Sequence, residues 1–388
     1  MTVLHVVRKF GELSETFVTD LVADLDELGW ESWVVARSVA NRDRFPFPPP
    51  ERLLTATGPP RGRRVLDRVA MRTSAERRSA GLSPAIARVR PALIHAHFGW
   101  AAADVRLAAA RAGVPMLATF HGSDLTAGLG PGRRRDYARL FRQVDHVITV
   151  SRFLEGRVRS LGYEGAVHVV PGGVRSSRLR FREPSAGGGD ARLIFIGRQI
   201  ECKGLDMLLQ ALCLLGPEHP GVRLEVIGDG PVRAANERLA ADLGVAARVE
   251  FRGALPKDQV VEALKRADVL VAPSRTAAGG QAEGRSVVAM EALATGLPVV
   301  ATDNGGLPET IPPSLRHELV PEGDAGALAA QIGRVLHDRA GWSARARVGR
   351  AWAEEQFDSE LLARRVARIY EAVLEEGGRL PAASSRAA

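Results

Sequence analysis

The segment from Glu283 to Gly306 most limits what this chain can fold into, because a helix, a tight stop and a strand follow one another within it. The residues after Glu283 suit the buried face of a helix, Gly296 predicts its left-handed end, and Pro298 prevents its return. A short apolar strand and a Gly-Gly loop follow at 299–306. Similar strand and helix patterns recur along the chain, which predicts an α/β protein with doubly wound sheets.

The length of 388 residues exceeds what one hydrophobic core usually serves and predicts two domains. The tract from Arg175 to Asp190 is polar and ends in three glycines, as expected of a linker. We therefore predict an N-terminal domain at 1–175, a linker at 176–190 and a C-terminal domain at 191–355. Residues 356–388 should form a terminal helix followed by a frayed tail.

Charge is unevenly distributed, with a formal net charge of +8 overall. Residues 1–185 carry 29 Lys and Arg against 18 Asp and Glu, whereas residues 186–388 carry 24 against 27. The basic half could contact an anionic membrane surface or an anionic acceptor, or it could simply be solvated. Nucleic acid is not predicted as a partner, because basic and aromatic residues are not interleaved.

The sequence shows no apolar run of transmembrane length and no signal peptide, which predicts a cytoplasmic protein. A peripheral position on the inner face of a membrane stays open because of the basic N-terminal half. Cys202 and Cys213 are the only cysteines, so a disulfide framework is not expected.

Two carboxylates, Glu283 and Glu291, lie eight positions apart, and Gly284 and Ser286 stand at the predicted helix start. The first backbone N–H groups of a helix have no partner within it and favour a phosphate. Carboxylates accept hydrogen bonds from the adjacent hydroxyls of a sugar or ribose. The pattern favours a site for a sugar linked to a diphosphate, although both residues could instead be solvated helix acids.

This segment resembles the E-x7-E motif of the retaining glycosyltransferases of family 4. The stretches SETF, HAHFG and TFHGSD resemble the branch of that family that makes bacterial exopolysaccharides such as colanic acid. The resemblance implies the GT-B fold, in which two Rossmann-like domains face each other across a cleft. It also implies that the first domain binds the acceptor, that the second binds a nucleotide sugar, and that the terminal helix crosses back to the first domain.

Arg198 and Lys203 flank a turn before a predicted helix, where two cations could clamp a diphosphate. The resemblance places an Arg and a Lys of the family at these positions, against the donor diphosphate. It also implies that His121, at the end of a predicted strand, contacts the donor sugar and is important for catalysis. Gly11 would lie close to donor or acceptor, with room made by its missing side chain.

Within the second domain, the resemblance implies that Glu283 orients the sugar hydroxyls and Glu291 the ribose. Backbone groups near Arg252 would meet the nucleobase. Arg285 departs from the family's usual E-x-F/L-G pattern, so it either meets an anionic group or points to solvent. The predicted catalytic residues are His121, Glu283, Arg198 and Lys203. The predicted donor-binding residues are Gly11, Arg198, Lys203, Arg252, Glu283, Gly284, Arg285, Ser286 and Glu291.

No cofactor is predicted, and the resemblance implies that no metal ion is required because the cationic side chains take its place. His95 and His97 share one face of a predicted strand and could form a metal pair. The sequence shows no third ligand near them, so we do not predict a metal site.

The predicted function is transfer of a hexosyl unit from a nucleotide diphosphate sugar to a hydroxyl acceptor, which could be a glycan, a lipid-linked sugar or a small molecule. One alternative is a protein that binds a nucleotide sugar without transferring it. Another is a sugar epimerase of the same fold. A Rossmann oxidoreductase is least favoured, because both candidate glycine loops lack part of the dinucleotide fingerprint.

Overall fold

The computed structural model describes residues 1–12, 15–44, 46–56, 74–183 and 190–378, which form two compact units. The first unit contains residues 1–125, 129–173 and 359–388, and the second contains residues 126–128 and 174–358. The main crossings therefore fall at Gly173–Val174 and Asp358–Ser359. Part of the predicted linker, from 176 to 183, belongs to the second unit.

The first unit is built on a seven-stranded sheet in the order β5-β3-β1-β6-β7-β8-β9, whose paired strands are all parallel. A separate short pair, β2 with β4, lies in the loops after β1 and β3. The strands are β1 (Thr2–Val6), β2 (Lys9–Phe10), β3 (Glu31–Ala36), β4 (Ser38–Val39), β5 (Leu53–Thr55), β6 (Leu93–His97), β7 (Met116–Phe120), β8 (His146–Thr149) and β9 (Ala166–Val169). The helices are α1 (Thr16–Glu27), α2 (Ser74–Ala80), α3 (Ser83–Val89), α4 (Gly99–Ala112), α5 (Ser123–Thr126), α6 (Pro131–Leu140), α7 (Arg152–Ser160) and, from the end of the chain, α14 (Ser359–Glu376).

The second unit is built on a six-stranded parallel sheet in the order β12-β11-β10-β13-β14-β15. Its strands are β10 (Arg192–Ile196), β11 (Arg223–Ile227), β12 (Val249–Gly253), β13 (Val269–Ala272), β14 (Val299–Asp303) and β15 (Val320–Pro321). Its helices are α8 (Leu205–Leu215), α9 (Arg233–Asp242), α10 (Lys257–Arg266), α11 (Val287–Thr295), α12 (Ala325–His337) and α13 (Trp342–Phe357).

Both sheets are buried between helices, which explains why their central strands are almost continuously apolar. In the first unit, one face of the sheet packs against α1 and α14. Leu362, Val366 and Tyr370 of α14 belong to the same core cluster as Leu93 and Leu117 of the sheet. The opposite face is covered by α4 and its neighbours in a second core cluster. Helices on both faces leave the carboxyl ends of the strands as the place for ligands.

Residues 57–73 lie outside the described residues, and the short helices α2 and α3 follow them. Both cysteines are free thiols. Within the described ranges, no helix combines the length and the apolar character needed to cross a membrane.

Candidate functional site

The centre of the candidate site is an ion pair between Lys203 and Glu283 in the second unit. Lys203 ends the 3-10 turn Glu201–Lys203, which lies between β10 and α8. Its ammonium contacts a carboxylate oxygen of Glu283, whose side chain is only 9% exposed. The Ser274 hydroxyl, two residues beyond β13, donates to the same oxygen at 3.1 Å. Residues after neighbouring strands thus bring a cation and a carboxylate together, as the sequence predicted for this cation and this acid.

Two glycines allow the loops around this pair to approach so closely. Gly204 has a φ of +66°, and a Cβ built there would lie 1.9 Å from the carbonyl oxygen of Pro273. Gly305 has a φ of +56°, and its Cβ would lie 2.2 Å from the carbonyl oxygen of Glu283. No side chain fits at such distances, so glycine is required at both positions for steric as well as conformational reasons.

The backbone of Glu283 is held by the loop that follows β14. The Asn304 side-chain oxygen accepts a hydrogen bond from the Glu283 N–H at 3.0 Å, and the Gly306 N–H donates to the Glu283 carbonyl at 2.9 Å. The Asn304 amide nitrogen donates in turn to Glu322 at 2.6 Å. Asn304 therefore positions the carboxylate-bearing loop, a role that the sequence did not indicate.

Helix α11 begins after Glu283 rather than at it. Ser286 is the N-cap residue, and its hydroxyl accepts from the Ala289 N–H at 3.3 Å. Gly284 is buried between Glu283 and this cap. The helix ends, as predicted, at Gly296 with a left-handed φ of +82°. Its first N–H groups therefore directly follow the loop that carries Glu283, whose carboxylate contacts Lys203.

Glu291 lies within α11 and is 3% exposed at its side chain. It forms an ion pair with Lys257, the first residue of α10. The sequence identified the carboxylate but not its cation, because Lys257 is 34 residues away and belongs to no recognisable motif. The pairing compensates a charge that would otherwise be costly to bury.

Arg198 lies in the loop directly after β10, on the same connection as Lys203. It is exposed, and among the described residues no carboxylate pairs with it. The guanidinium N–H groups of Arg198 are therefore available to a ligand at the carboxyl end of the sheet.

Arg285 meets an anionic group, one of the two outcomes that the sequence allowed, and that group is the Glu309 carboxylate at 3.4 Å. Its side chain is 8% exposed, and its guanidinium lies 5.1 Å from the centre of the Phe357 ring and donates to the Glu309 carbonyl at 2.7 Å. Burial lowers the pKa of Arg285 to about 10. These contacts lie inside the second unit, and a contact of Arg285 with the donor stays a prediction.

Arg252 is exposed on the edge strand β12 and pairs with Glu250 at 2.8 Å. It thus contacts a neighbour on its own strand rather than the Lys203–Glu283 pair. The predicted role of this stretch depended on backbone groups, so the observed side chain neither adds to it nor removes it.

In the first unit, His121 follows directly after β7 at the carboxyl edge of the sheet. Its ring lies 4.5 Å from the ring of Phe98 and 4.9 Å from the ring of Phe17, centre to centre. Both ring nitrogens are buried and without a hydrogen-bond partner among the described residues. Burial lowers the pKa of His121 well below its usual value, and His97 adds to this effect. The imidazole is therefore neutral near pH 7 and can exchange hydrogen bonds with a hydroxyl group.

Asp124 fixes the loop that carries His121. Its carboxylate accepts from the N–H groups of Gly99 at 2.9 Å, Gly122 at 2.8 Å and His121 at 3.2 Å. Burial raises the pKa of Asp124 to about 6, against the opposing effect of these hydrogen bonds. The sequence contained a signal for this role, since Asp residues often bind nearby backbone N–H groups in turns.

Gly11 follows β2 with a left-handed φ of +81°, which explains the residue type. Its carbonyl accepts from the Asn41 side chain at 2.9 Å. It lies in the connection between β1 and α1, at the carboxyl end of a central strand.

A third histidine, His5, lies beside His95 and His97, and the sequence alone did not indicate this. The parallel pairing of β1 with β6 sets His5 opposite His95, and one nitrogen of each of the three rings lies within 4.8 Å of the others. His95 uses both nitrogens, to the Tyr370 hydroxyl at 2.5 Å and the Thr119 hydroxyl at 2.7 Å. A metal ion here would have to displace one of these hydrogen bonds, so the arrangement fits a buried hydrogen-bonded cluster better than a ligand set.

Comparison with known proteins relates both units to one group of enzymes. Residues 14–178 match the model described as Glycosyltransferase Family 4, and residues 177–354 match the model described as Glycosyl transferases group 1. A GDP-mannose-dependent alpha-(1-6)-phosphatidylinositol monomannoside mannosyltransferase of Mycolicibacterium smegmatis is 32% identical over 264 residues, which are 66% of this chain and 69% of that protein. The putative colanic acid biosynthesis glycosyltransferase WcaL of Salmonella typhimurium is 33% identical over 224 residues, which are 56% of this chain and 55% of that protein.

The chain thus aligns with about half the length of WcaL and with about two thirds of the mannosyltransferase. Among solved structures, Anabaena Alr3699/HepE in complex with UDP and glucose superposes with a TM-score of 0.77 at 18% identity. That match covers 96% of this chain and 100% of the other. The chain therefore belongs to the family 4, group 1 glycosyltransferases, resembles their exopolysaccharide branch, and has their GT-B fold.

Proposed function

We propose that this chain transfers a hexosyl unit from a nucleotide diphosphate sugar to a hydroxyl acceptor, with retention of configuration at the anomeric carbon. The observation that carries the proposal is the contact of Lys203 with Glu283 beside the start of α11. A cation suited to a diphosphate and a carboxylate suited to sugar hydroxyls are held side by side. Membership of the glycosyltransferase family supports the same reaction.

The proposed roles follow the charges of the side chains. Arg198 and Lys203 bind the diphosphate, Glu283 orients the hydroxyls of the donor sugar, and Glu291 accepts from the ribose. The neutral imidazole of His121 exchanges a hydrogen bond with the donor sugar.

In the reaction we propose, the bond from the anomeric carbon to the diphosphate oxygen breaks as the acceptor oxygen bonds on the same face of the sugar. The departing diphosphate takes the acceptor proton. Charge grows on the leaving phosphate, and Arg198, Lys203 and the N–H groups at the start of α11 stabilise it. These groups supply the positive charge that a metal ion would otherwise provide, so we propose that neither a metal ion nor another cofactor is required.

We further propose that the protein works in the cytoplasm, with peripheral contact to an anionic membrane surface. The excess of Lys and Arg in residues 1–185 supports such contact. We propose no nucleic-acid partner, because the basic residues lack the interleaved aromatics that stack on bases.

Release of nucleotide diphosphate from UDP-, GDP-, dTDP- and ADP-sugars tests the proposal, with and without a crude lipid and glycan acceptor fraction. The panel includes GDP-sugars because one relative is named for GDP-mannose. It includes UDP-sugars because a structure of the same fold was solved with UDP and glucose. We expect acceptor-dependent release and a glycosylated product with one donor, unchanged in excess EDTA. Binding without release would indicate a sugar-binding protein, a new sugar formed from donor alone would indicate an epimerase, and loss in EDTA would contradict the metal-free mechanism.

A further inference from the structure

Three arginines from distant parts of the first unit converge on one buried carboxylate, that of Asp104 in α4. Asp104 is 3% exposed at its side chain. Its Oδ2 accepts from Arg8 at 3.1 Å and from Arg37 at 2.9 Å, and its Oδ1 contacts Arg78. We call Arg8, Arg37 and Arg78 the arginine cluster.

The cluster carries three positive charges, and Asp104 together with Asp136, which lies 3.6 Å from Arg78, neutralises at most two of them. Among the described residues, Asp104 is the only carboxylate within 4.0 Å of Arg8 and of Arg37. Their side chains are 40% and 43% exposed, so unused guanidinium donors remain accessible. Arg37 uses a single N–H on Asp104. Like charges held this close repel one another, and a bound anion would relieve that repulsion.

The cluster lies where α/β sheets bind ligands. Arg8 comes two residues after β1, Arg37 directly follows β3, and Asp104 lies in the second turn of the helix after β6. These three strands are neighbours in the sheet, so their carboxyl ends meet at one edge. The N–H groups of Arg37 and Ser38 donate to the Arg8 carbonyl at 3.0 and 3.2 Å, which fixes the two guanidinium-bearing segments to each other.

Two aromatic rings connect the cluster with His121. The Phe98 ring lies 4.5 Å from His121 and stacks on Trp100 at 4.9 Å, centre to centre. The Arg8 guanidinium lies 5.8 Å from the centre of the Trp100 ring, and Arg133 approaches that ring at 5.9 Å. Phe98 and Trp100 therefore form a continuous aromatic surface between His121 and Arg8, along which an acceptor could lie.

We propose that the arginine cluster binds a phosphate group of the acceptor. This inference rests on the proposed function, since it assigns the acceptor class of the same enzyme. Guanidinium groups bind phosphate oxygens through paired N–H donors, and Asp104 holds the forks in place without consuming all of them. The phosphate could belong to a lipid headgroup or to a soluble sugar phosphate, since both present anionic phosphate oxygens.

Calorimetric titration with inorganic pyrophosphate tests the proposal, with Arg198→Ala/Lys203→Ala in the background so that the proposed donor site does not contribute. We expect Arg37→Gln to weaken pyrophosphate binding roughly tenfold to a hundredfold, because it removes a charge-assisted hydrogen bond. Arg364→Gln, which changes an arginine of α14 that is 58% exposed, should leave binding unchanged. Arg37→Lys, which keeps the charge and loses the fork, should fall between them.

Thermal unfolding separates binding from a purely structural role. If the cluster serves binding, Arg37→Gln should have an equal or higher melting temperature, because the repulsion among the arginines is reduced. A lower melting temperature with unchanged pyrophosphate affinity would overturn the proposal, as would no pyrophosphate binding to the Arg198→Ala/Lys203→Ala protein. The proposed transferase function would fail differently, through absence of donor turnover in the unaltered protein with every nucleotide sugar.

Competition against pyrophosphate identifies the source of the phosphate. Displacement by vesicles of phosphatidylcholine with phosphatidic acid, but not by glucose 1-phosphate, supports a lipid headgroup. The reverse supports a soluble sugar phosphate. Displacement by neither ligand would contradict an acceptor-phosphate site.

Discussion

Lys203→Ala is expected to lower kcat for sugar transfer at saturating donor by about 100-fold, which corresponds to roughly 3 kcal/mol of transition-state stabilisation. The lysine ammonium contacts Glu283 in the structure and would turn to the leaving diphosphate when donor is bound. Charge on that phosphate is greatest in the transition state, so the loss should appear in kcat and not only in KM. Steady-state release of nucleotide diphosphate measures both constants.

Lys265→Ala is the matched control, because Lys265 pairs with Glu262 one helical turn away on the exposed side of α10. It should retain normal turnover. Lys203→Ala also leaves the buried Glu283 without its cation, so circular dichroism is needed to show that the variant is folded. A folded Lys203→Ala protein with near-normal kcat would remove the assignment of Lys203 to the diphosphate.

Acidification below pH 6.5 is expected to destabilise the first unit, because its folded state binds fewer protons than its unfolded state. Burial lowers the pKa of His5 and of His95 well below 6.5, and that of His97 to about 3. Below pH 6.5 these histidines are protonated in the unfolded chain but stay neutral in the folded one. The stability that is present above that pH is therefore lost as the pH falls. His121 acts in the same direction, whereas Asp124, with its pKa raised to about 6, binds its proton more tightly when folded and offsets His121.

Urea unfolding at several pH values, followed by hydrogen exchange of first-unit peptides, measures the slope of stability against pH. His97→Leu should reduce it by about 1.4 kcal/mol per pH unit, the contribution of one proton. His317→Gln changes a histidine that is 73% exposed and should have no effect on the slope. A slope in the unaltered protein equivalent to one proton or fewer would show that the cluster is charged in the folded state.

The sequence predicted the features that depend on local pattern. Apolar strands that end in glycine-bearing turns indicated two parallel-sheet units, and the structure has them. Gly296 indicated the end of α11, and a left-handed residue ends it. Lys203 and Glu283 were predicted to share a site, and their side chains are in contact, because each follows a strand of the same sheet.

The features that the sequence missed depend on pairing between distant segments. His5 meets His95 only because β1 and β6 are neighbours in the sheet, and Lys257 meets Glu291 only because α10 begins near α11. The partners of Arg285 could not be identified for the same reason, since Glu309 and Phe357 are far away in sequence.

The arginine cluster shows the same limit in a different way. In the sequence alone, nothing distinguishes each of these arginines from the other arginines of the basic N-terminal half. Only the adjacency of β3, β1 and β6 places Arg8 and Arg37 on one carboxylate. Composition could indicate that the first unit favours anions, but not where an anion would bind.

The proposed binding of the donor diphosphate by Arg198 and Lys203 is tested most directly by calorimetric titration with a nucleoside diphosphate and with its parent nucleoside. For the nucleotide that binds best, the double variant Arg198→Ala/Lys203→Ala should bind the diphosphate at least 100-fold more weakly, because two charge-assisted contacts are lost. Its affinity for the nucleoside should not change. Equal affinity of both proteins for the diphosphate would contradict the proposed diphosphate site.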